Sequence, residues 1–392
     1  MPKEGQYIIT YGGWYQRTTL HLSEIYSLFI LGHSYLPLSK EKLKKLQKLL
    51  DLKTVTREAK HLEFIEARTH KEVDIRYFED GLYVLETTTD DIAHGQQLLK
   101  GYFDNRLNPA ISYIFSLGAP TPKVLANIKA VHPTVVGVIF SKPEKYDIDT
   151  KKYGEVYSKI TSKNITVYKT PKYIFVVSSS NKNKQIRRLI EMQIFFREFK
   201  DQLEKYLNIH RHIWEEIESI KNKKFIKGKE IGEIREKLES YRKTIDLINS
   251  RINQMGSYVG TRQSISKDLE IEEQLNNLFQ YKFEILSATH SYIKEIWNMT
   301  KDHVASAIQV IVEIENKTTT ASIKTLQVIT SIGVVSGILG YLARNELPKI
   351  TNTGLIFFLA LIFVTWLINL IVAKIYKNLK YKLKFTKRAS KI

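Results

Sequence analysis

The spacing of apolar and polar residues divides this chain into three regimes. Over residues 1–183 the runs are short and mixed. Tyr7–Gly12 reads as a strand, and Leu62–Ala67 and Val73–Thr87 alternate apolar with polar positions, the period of a half-buried strand. Glu79-Asp80-Gly81 gives the longer stretch a hairpin turn, because glycine accepts the positive φ of a tight hairpin. Ser39–Leu50 sets Leu43, Leu46 and Leu50 on one helical stripe behind an N-cap serine. Asp90–Phe103 reads as a helix with acids at its N-terminal end. The order then recurs. Thr134–Ser141 is a β-branched strand, and Asn164–Ser180 is a hairpin turning at Thr170-Pro171-Lys172. The expectation is an α+β domain, a sheet flanked by helices and built from two related halves.

From Lys184 the period becomes helical. Ile186–Ile220 and Lys229–Asn253 predict a helical hairpin over 184–262, the second helix carrying Ile231, Ile234, Leu238, Tyr241, Ile245 and Ile248 on one stripe. Gly256 and Gly260 read as its break. Residues 263–324 predict a stalk helix, since no proline or glycine falls between Ser264 and Gly333. Continued into the next segment, that helix would hold about eighty residues and measure about 120 Å. A helix so long needs partners, here the two preceding helices and the same helix of neighbouring copies.

The third regime is uncharged. Thr325–Ala343 has no charged residue, a polar turn follows at Arg344–Lys349, and Ile350–Ala373 is uncharged again. Each stretch reaches the roughly twenty residues that span a hydrocarbon core. With so short a turn between them, 325–373 predicts a two-helix transmembrane hairpin, the form that satisfies every backbone polar group in lipid. The tail, 374–392, carries eight Lys or Arg and no acid, whereas the turn balances Arg344 and Lys349 against Glu346. Positive charge marks the cytoplasmic side. The start of the chain has no apolar core or cleavage site of a signal peptide. Both termini are therefore expected in the cytoplasm, at a prokaryotic-type inner (plasma) membrane.

The net charge of +19, from 60 basic and 41 acidic residues, divides accordingly. The tail is attracted to anionic headgroups by about 1 kcal/mol per cation, which makes membrane lipid the partner. No compact aromatic-basic motif of a nucleic-acid module is present, and no nucleic acid is expected. The absence of cysteine excludes disulfides, thiolate zinc sites and cysteine catalysis. With no phosphate loop, dinucleotide glycine pattern or nucleophile elbow, no enzyme and no catalytic residue is predicted. His210 and His212 lie two apart on different helix faces and make no metal pair. Glu215, Glu216, Glu218, Glu230, Glu233, Glu236 and Glu239 are interleaved with Lys and Arg, the pattern of a solvated face.

Along the first span, Ser322, Thr325, Ile329, Gly333, Ser336 and Gly340 recur every third or fourth position. Several copies of such a face would line a watery pore, with Ile329 as a dewetting gate. The same face suits helix packing, since Gly333 and Gly337 form a small-xxx-small pair. The second span is bulky, with Phe357, Phe358, Phe363, Trp366, Leu367 and Ile371 suited to lipid. Its Asn369 is expected to hydrogen-bond the first span.

Cytoplasmic α+β domain, helical hairpin, stalk, two C-terminal spans and basic tail together resemble the CorA family of divalent-cation transporters. In residues the likeness is confined to Gly340-Tyr341-Leu342-Ala343-Arg344-Asn345, where Asn345 matches the asparagine of the family's Gly-Met-Asn motif. Ala343 and Arg344 replace its Gly and Met. The resemblance implies a funnel-shaped homo-oligomer, a pentamer, with the first span as the pore. Its outer mouth would be built from Tyr341, Arg344, Asn345 and Glu346, with Asn345 holding a hydrated ion such as Mg2+ and no covalent cofactor. Arg344 puts a positive charge where a divalent cation enters unless it pairs with Glu346, which marks a divergent member. Divergent CorA-like proteins beside type III CRISPR systems answer a signalling nucleotide made from S-adenosylmethionine and AMP. That implies a channel gated by a cytoplasmic nucleotide ligand in antiviral defence. The alternatives are a constitutive Mg2+, Co2+ or Zn2+ transporter and a non-conducting membrane-anchored scaffold.

Overall fold

The computed structural model describes residues 6–15, 22–59, 62–115, 133–179, 183–342 and 352–382. The chain forms two compact units, one of Met1–Ile209 with Leu247–Ile296 and the other of His210–Asp246 with Trp297–Ile392.

The first unit is α+β, as the alternation predicts. Its strands are β1 (Tyr7–Trp14), β2 (Leu52–Ala59), β3 (Glu63–Thr69), β4 (Asp74–Phe78), β5 (Leu82–Thr89), β6 (Thr134–Ile139), β7 (Ser158–Ser162), β8 (Ile165–Lys169) and β9 (Tyr173–Ser178). They form one nine-stranded sheet in the order β2-β3-β4-β5-β1-β6-β9-β8-β7. Every pairing is antiparallel except β6 with β9. Both expected hairpins are present, β4–β5 turning at Gly81 with φ +87 and β8–β9 turning at Thr170–Lys172. The two expected halves are a single sheet, joined where β1 pairs with β6. The edge strands β2 and β7 go beyond the expected elements. Both are polar and half or fully exposed, so they lack the apolar alternation that reveals an inner strand.

Helices cover both faces of this sheet, which is why β1 and β6 read as nearly continuous apolar runs. Ile9, Ile65, Ile75, Leu85 and Val136 share a buried core with α1 (Leu22–Leu31), α2 (Lys40–Leu50), α3 (Ile92–Tyr102) and α4 (Asn108–Ile114). Ser39 caps α2 through the Lys42 N–H, and Leu43, Leu46 and Leu50 are buried as predicted. Asp91 caps α3, so that helix begins at Ile92. A single turn, α5 (Thr150–Tyr153), precedes β7. On the other face lies α6 (Asn183–Lys221): Ile194 and Ile190 pack where Gly12 and Gly137 leave room on β1 and β6.

The helical boundaries differ from the predicted 184–262 hairpin and 263–324 stalk. Helix α7 runs unbroken over Ile231–Asp268, through Gly256 and Gly260. Gly256 lets His290 approach: an added Cβ there would lie 2.9 Å from the imidazole Cε1. The chain then turns twice, around α8 (Glu272–Phe279), before α9 (Phe283–Leu342) begins. Glu270 and Gln280 adopt left-handed φ of +53 and +59 at these turns, and Gln280 caps α8 by donating to Asn276 and Leu275 carbonyls. Neither residue type announces a helix end, which is why an unbroken eighty-residue helix was the expectation. The observed α9 has 60 residues, about 90 Å.

In the second unit the predicted stripe Ile231, Ile234, Leu238 and Ile245 is buried with Ile213, Ile217, Trp297, Val304, Ile308 and Ile311. Charged residues flank it. Arg235 meets Glu315 at 2.8 Å, and Lys301 meets Asp246 at 2.8 Å. Helix α10 (Asn352–Asn378) and the strands β10 (Phe225–Lys227) and β11 (Lys380–Lys382) complete the unit.

Candidate functional site

Among the described residues two helices are long and apolar enough to cross a membrane, one within Phe283–Leu339 of α9 and one at Leu359–Asn378 of α10. Their apolar windows are not buried inside the chain at all. Ile332 is 65% exposed and Leu361 66% exposed, and Val328, Val334, Val335, Ile338, Leu339, Leu359, Ile362 and Val364 are exposed beside them. Apolar surface this extensive is left bare only where lipid or another chain covers it.

In the apolar part of α9 the hydroxyls of Thr325, Thr330 and Ser336 turn inward on their own helix. Thr325 Oγ1 donates to the Ala321 carbonyl at 2.9 Å, Thr330 to Leu326 at 2.8 Å and Ser336 to Gly333 at 2.9 Å. This back-bonding satisfies the polar side chains without water. Thr325 also meets the Tyr376 hydroxyl of α10 at 2.7 Å, and Tyr376 donates to the Ala321 carbonyl at 3.2 Å. Tyr376 thus ties the start of the first apolar stretch to the end of the second.

Of the residues predicted to line a pore, Ser322, Thr325 and Ile329 are half-buried, and Gly333 and Ser336 are exposed. An added Cβ at Gly333 or Gly337 would meet nothing within 4 Å, so among the described residues no other helix packs on this small-residue pair. Gly340 and Tyr341 fall in the last turn of α9. Arg344, Asn345 and Glu346, and with them the expected ion-holding asparagine, lie outside the described residues. Asn369 is exposed on α10.

Below Tyr376 the chain leaves α10 and forms a short antiparallel ribbon that the sequence reading missed. β11 pairs with β10, matching Ile226 with Tyr381 and Lys227 with Lys380. Ile226 is buried, and Gly228 donates its N–H to the Leu379 carbonyl at 3.1 Å. Residues 225–227, between the two expected hairpin helices, and residues 380–382, near the start of the predicted basic tail, therefore form one ribbon. The local signal was slight: Phe225-Ile226 between Lys224 and Lys227 in one segment, and Tyr381 between Lys380 and Lys382 in the other.

Of the acids expected on a solvated face, Glu215, Glu233 and Glu236 are exposed and Glu216, Glu218, Glu230 and Glu239 are half-buried. Glu216 meets Lys237 at 2.5 Å, and this hydrogen bond pulls its carboxyl below the ordinary range. Glu236, Glu239, Arg235, Lys243 and Glu315 line an open polar cavity of about 550 Å³. His210 does not join His212. Its Nδ1 meets Thr300 Oγ1 at 2.7 Å, and its ring lies beside Trp214 and Trp297. His303 stacks on Trp214 with centroids 4.1 Å apart, and its Nε2 lies 3.1 Å from Glu218. Among the described residues no group of three or more His, Cys, Asp or Glu could hold a metal ion. No protein family, curated protein or solved structure matches this chain.

Proposed function

We propose that this chain is a membrane protein that assembles as a homo-oligomer into an ion channel of CorA-like layout. On this reading α9 lines the conducting path, α10 faces lipid, both termini lie in the cytoplasm, and a ligand held by the cytoplasmic part opens the path. The observation that carries it is the pair of wholly uncovered apolar windows on α9 and α10, together with a Gly333–Gly337 face on α9 that nothing among the described residues approaches. Lipid covers bulky side chains well, but a small-residue face in a membrane suits close approach of another helix. Copies of α9 packed about an axis would use that face. Five copies, a hydrated divalent cation at Asn345 and an anionic signalling nucleotide as ligand follow from the CorA resemblance.

The test is ion flux from liposomes holding the purified protein, loaded with magnesium and a fluorescent reporter, with and without signalling nucleotides of the S-adenosylmethionine–AMP type. Flux only with nucleotide supports a ligand-gated effector. Flux that needs no nucleotide and falls as magnesium rises on the cytoplasmic side supports a conventional transporter instead. Liposomes that stay ion-tight under every condition reduce the protein to a membrane-anchored scaffold and overturn the channel.

A further inference from the structure

We infer that the β10–β11 ribbon is a binding surface for anionic phospholipid headgroups, seated at the charged end of the second apolar helix. The inference rests on the membrane reading above and goes beyond it, because it assigns a lipid class and a site.

The ribbon gathers cations from two segments far apart in sequence. Lys223, Lys224 and Lys227 come from β10 and its approach, and Lys374, Lys377 and Lys380 from the end of α10 and β11. All six are exposed. Lys227 and Lys380 stand directly opposite each other across the pair, a position where like charges repel. Burial of Ile226 and the tight contact at Gly228 hold the strands together against that repulsion. A Cβ at Gly228 would collide with the Tyr376 carbonyl oxygen. The neighbouring acid, Glu230, is turned to the Lys227 backbone N–H at 3.5 Å. The geometry therefore concentrates positive charge on a fixed frame, and an anion outside the chain would relieve it.

Two further observations select a lipid surface over a soluble anion. Phe225 is 53% exposed and Leu379 is 42% exposed among these lysines. Apolar prongs beside cations suit the boundary between headgroups and acyl chains and contribute nothing to binding a free phosphate. The depth also fits. Between Ala373, the last residue of the uncharged stretch, and Asn378, the end of α10, the helix rises about 8 Å. That is close to the thickness of one headgroup layer, about 5–8 Å.

The experiment uses the full-length protein in nanodiscs of phosphatidylcholine alone and of phosphatidylcholine with phosphatidylglycerol. Acetylation rates of the six lysines are read by mass spectrometry. We expect about five-fold slower modification in the anionic discs. The protection should be lost at high salt and should not be reproduced by inorganic phosphate added to neutral discs. Gly228→Val keeps every lysine but forces the strands apart, and should abolish protection at Lys227 and Lys380. Equal rates in both discs overturn the ribbon site and leave the membrane reading standing. Protection by inorganic phosphate alone overturns the lipid in favour of a soluble anion, and protection that survives in Gly228→Val overturns the role of the ribbon. A protein that does not enter nanodiscs at all overturns both readings.

Discussion

Arg262 and Asp80 lie 182 residues apart in sequence and form a two-pronged ion pair in which both side chains are fully buried. Arg262 Nε donates to Asp80 Oδ2 at 2.8 Å and Nη2 donates to Oδ1 at 3.1 Å, while Nη1 reaches Glu191 at 3.1 Å. The guanidinium also lies 4.5 Å from the centre of the Phe78 ring. Asp80 is a turn residue of the β4–β5 hairpin, and its carboxylate accepts the Leu82 N–H as well. The last turns of α7 are thus locked to one hairpin of the sheet. Removing one partner leaves an uncompensated buried charge, so Arg262→Met or Asp80→Asn should each cost about 3–5 kcal/mol. The loss should show as a lower denaturation midpoint in detergent, and the double variant should lose less than the sum of the two.

Gly256 and Gly260 of α7 should behave oppositely. At Gly256 an alanine methyl meets the His290 ring, whose Nε2 contacts the Ile252 carbonyl oxygen at 2.6 Å. Gly256→Ala should therefore destabilise by about 1–3 kcal/mol. At Gly260 a Cβ meets nothing within 4 Å, and Gly260→Ala should stabilise by about 0.5–1 kcal/mol, through the better helix propensity of alanine. Chemical denaturation of both variants checks the pair, and equal effects would contradict the packing described.

His210 should make the fold sensitive to mild acid. Burial, with Arg211 nearby, holds its imidazole below the ordinary value of 6.5. The folded state thus favours the neutral ring, which faces Thr300, Trp214 and Trp297. Its contribution is complete above 6.5 and is lost as the pH falls from there through the lower folded value. His210→Gln does not titrate. A plot of melting temperature against pH should fall less steeply for this variant below 6.5 than for the native protein.

Gly333→Leu and Gly337→Leu should separate folding from assembly. At neither position does an added Cβ meet a described residue within 4 Å, so the melting temperature of the α+β unit should hardly change. If another copy of α9 packs there, bulky side chains should shift the detergent-solubilised protein to smaller species in light scattering. An unchanged mass would remove the small-residue face from the assembly interface.

Much of this fold was legible because its signals are local. The leucine stripe of α2 with its Ser39 cap, the Gly81 hairpin and the Thr170–Lys172 turn each depend on residues a few positions apart. The uncharged stretches that become the bare windows of α9 and α10 do too. Backbone geometry and the expulsion of apolar groups from water act there without reference to the rest of the chain. Elements without a local mark stayed hidden. Strand β2 is a polar edge, and the left-handed caps at Glu270 and Gln280 use residues that usually continue a helix.

The tertiary structure decided what depends on surfaces meeting. Gly256 reads as a helix breaker until His290 is placed against it, and Asp80 reads as a turn residue until Arg262 reaches it. Thr325 belongs to a small-residue stripe until the Tyr376 hydroxyl bonds to it. The lysines of 223–227 and 374–380 read as a turn and a tail until β10 pairs with β11. In each case the energy lies in a contact between residues distant in sequence, and periodicity along the chain carries no record of which distant residue that is.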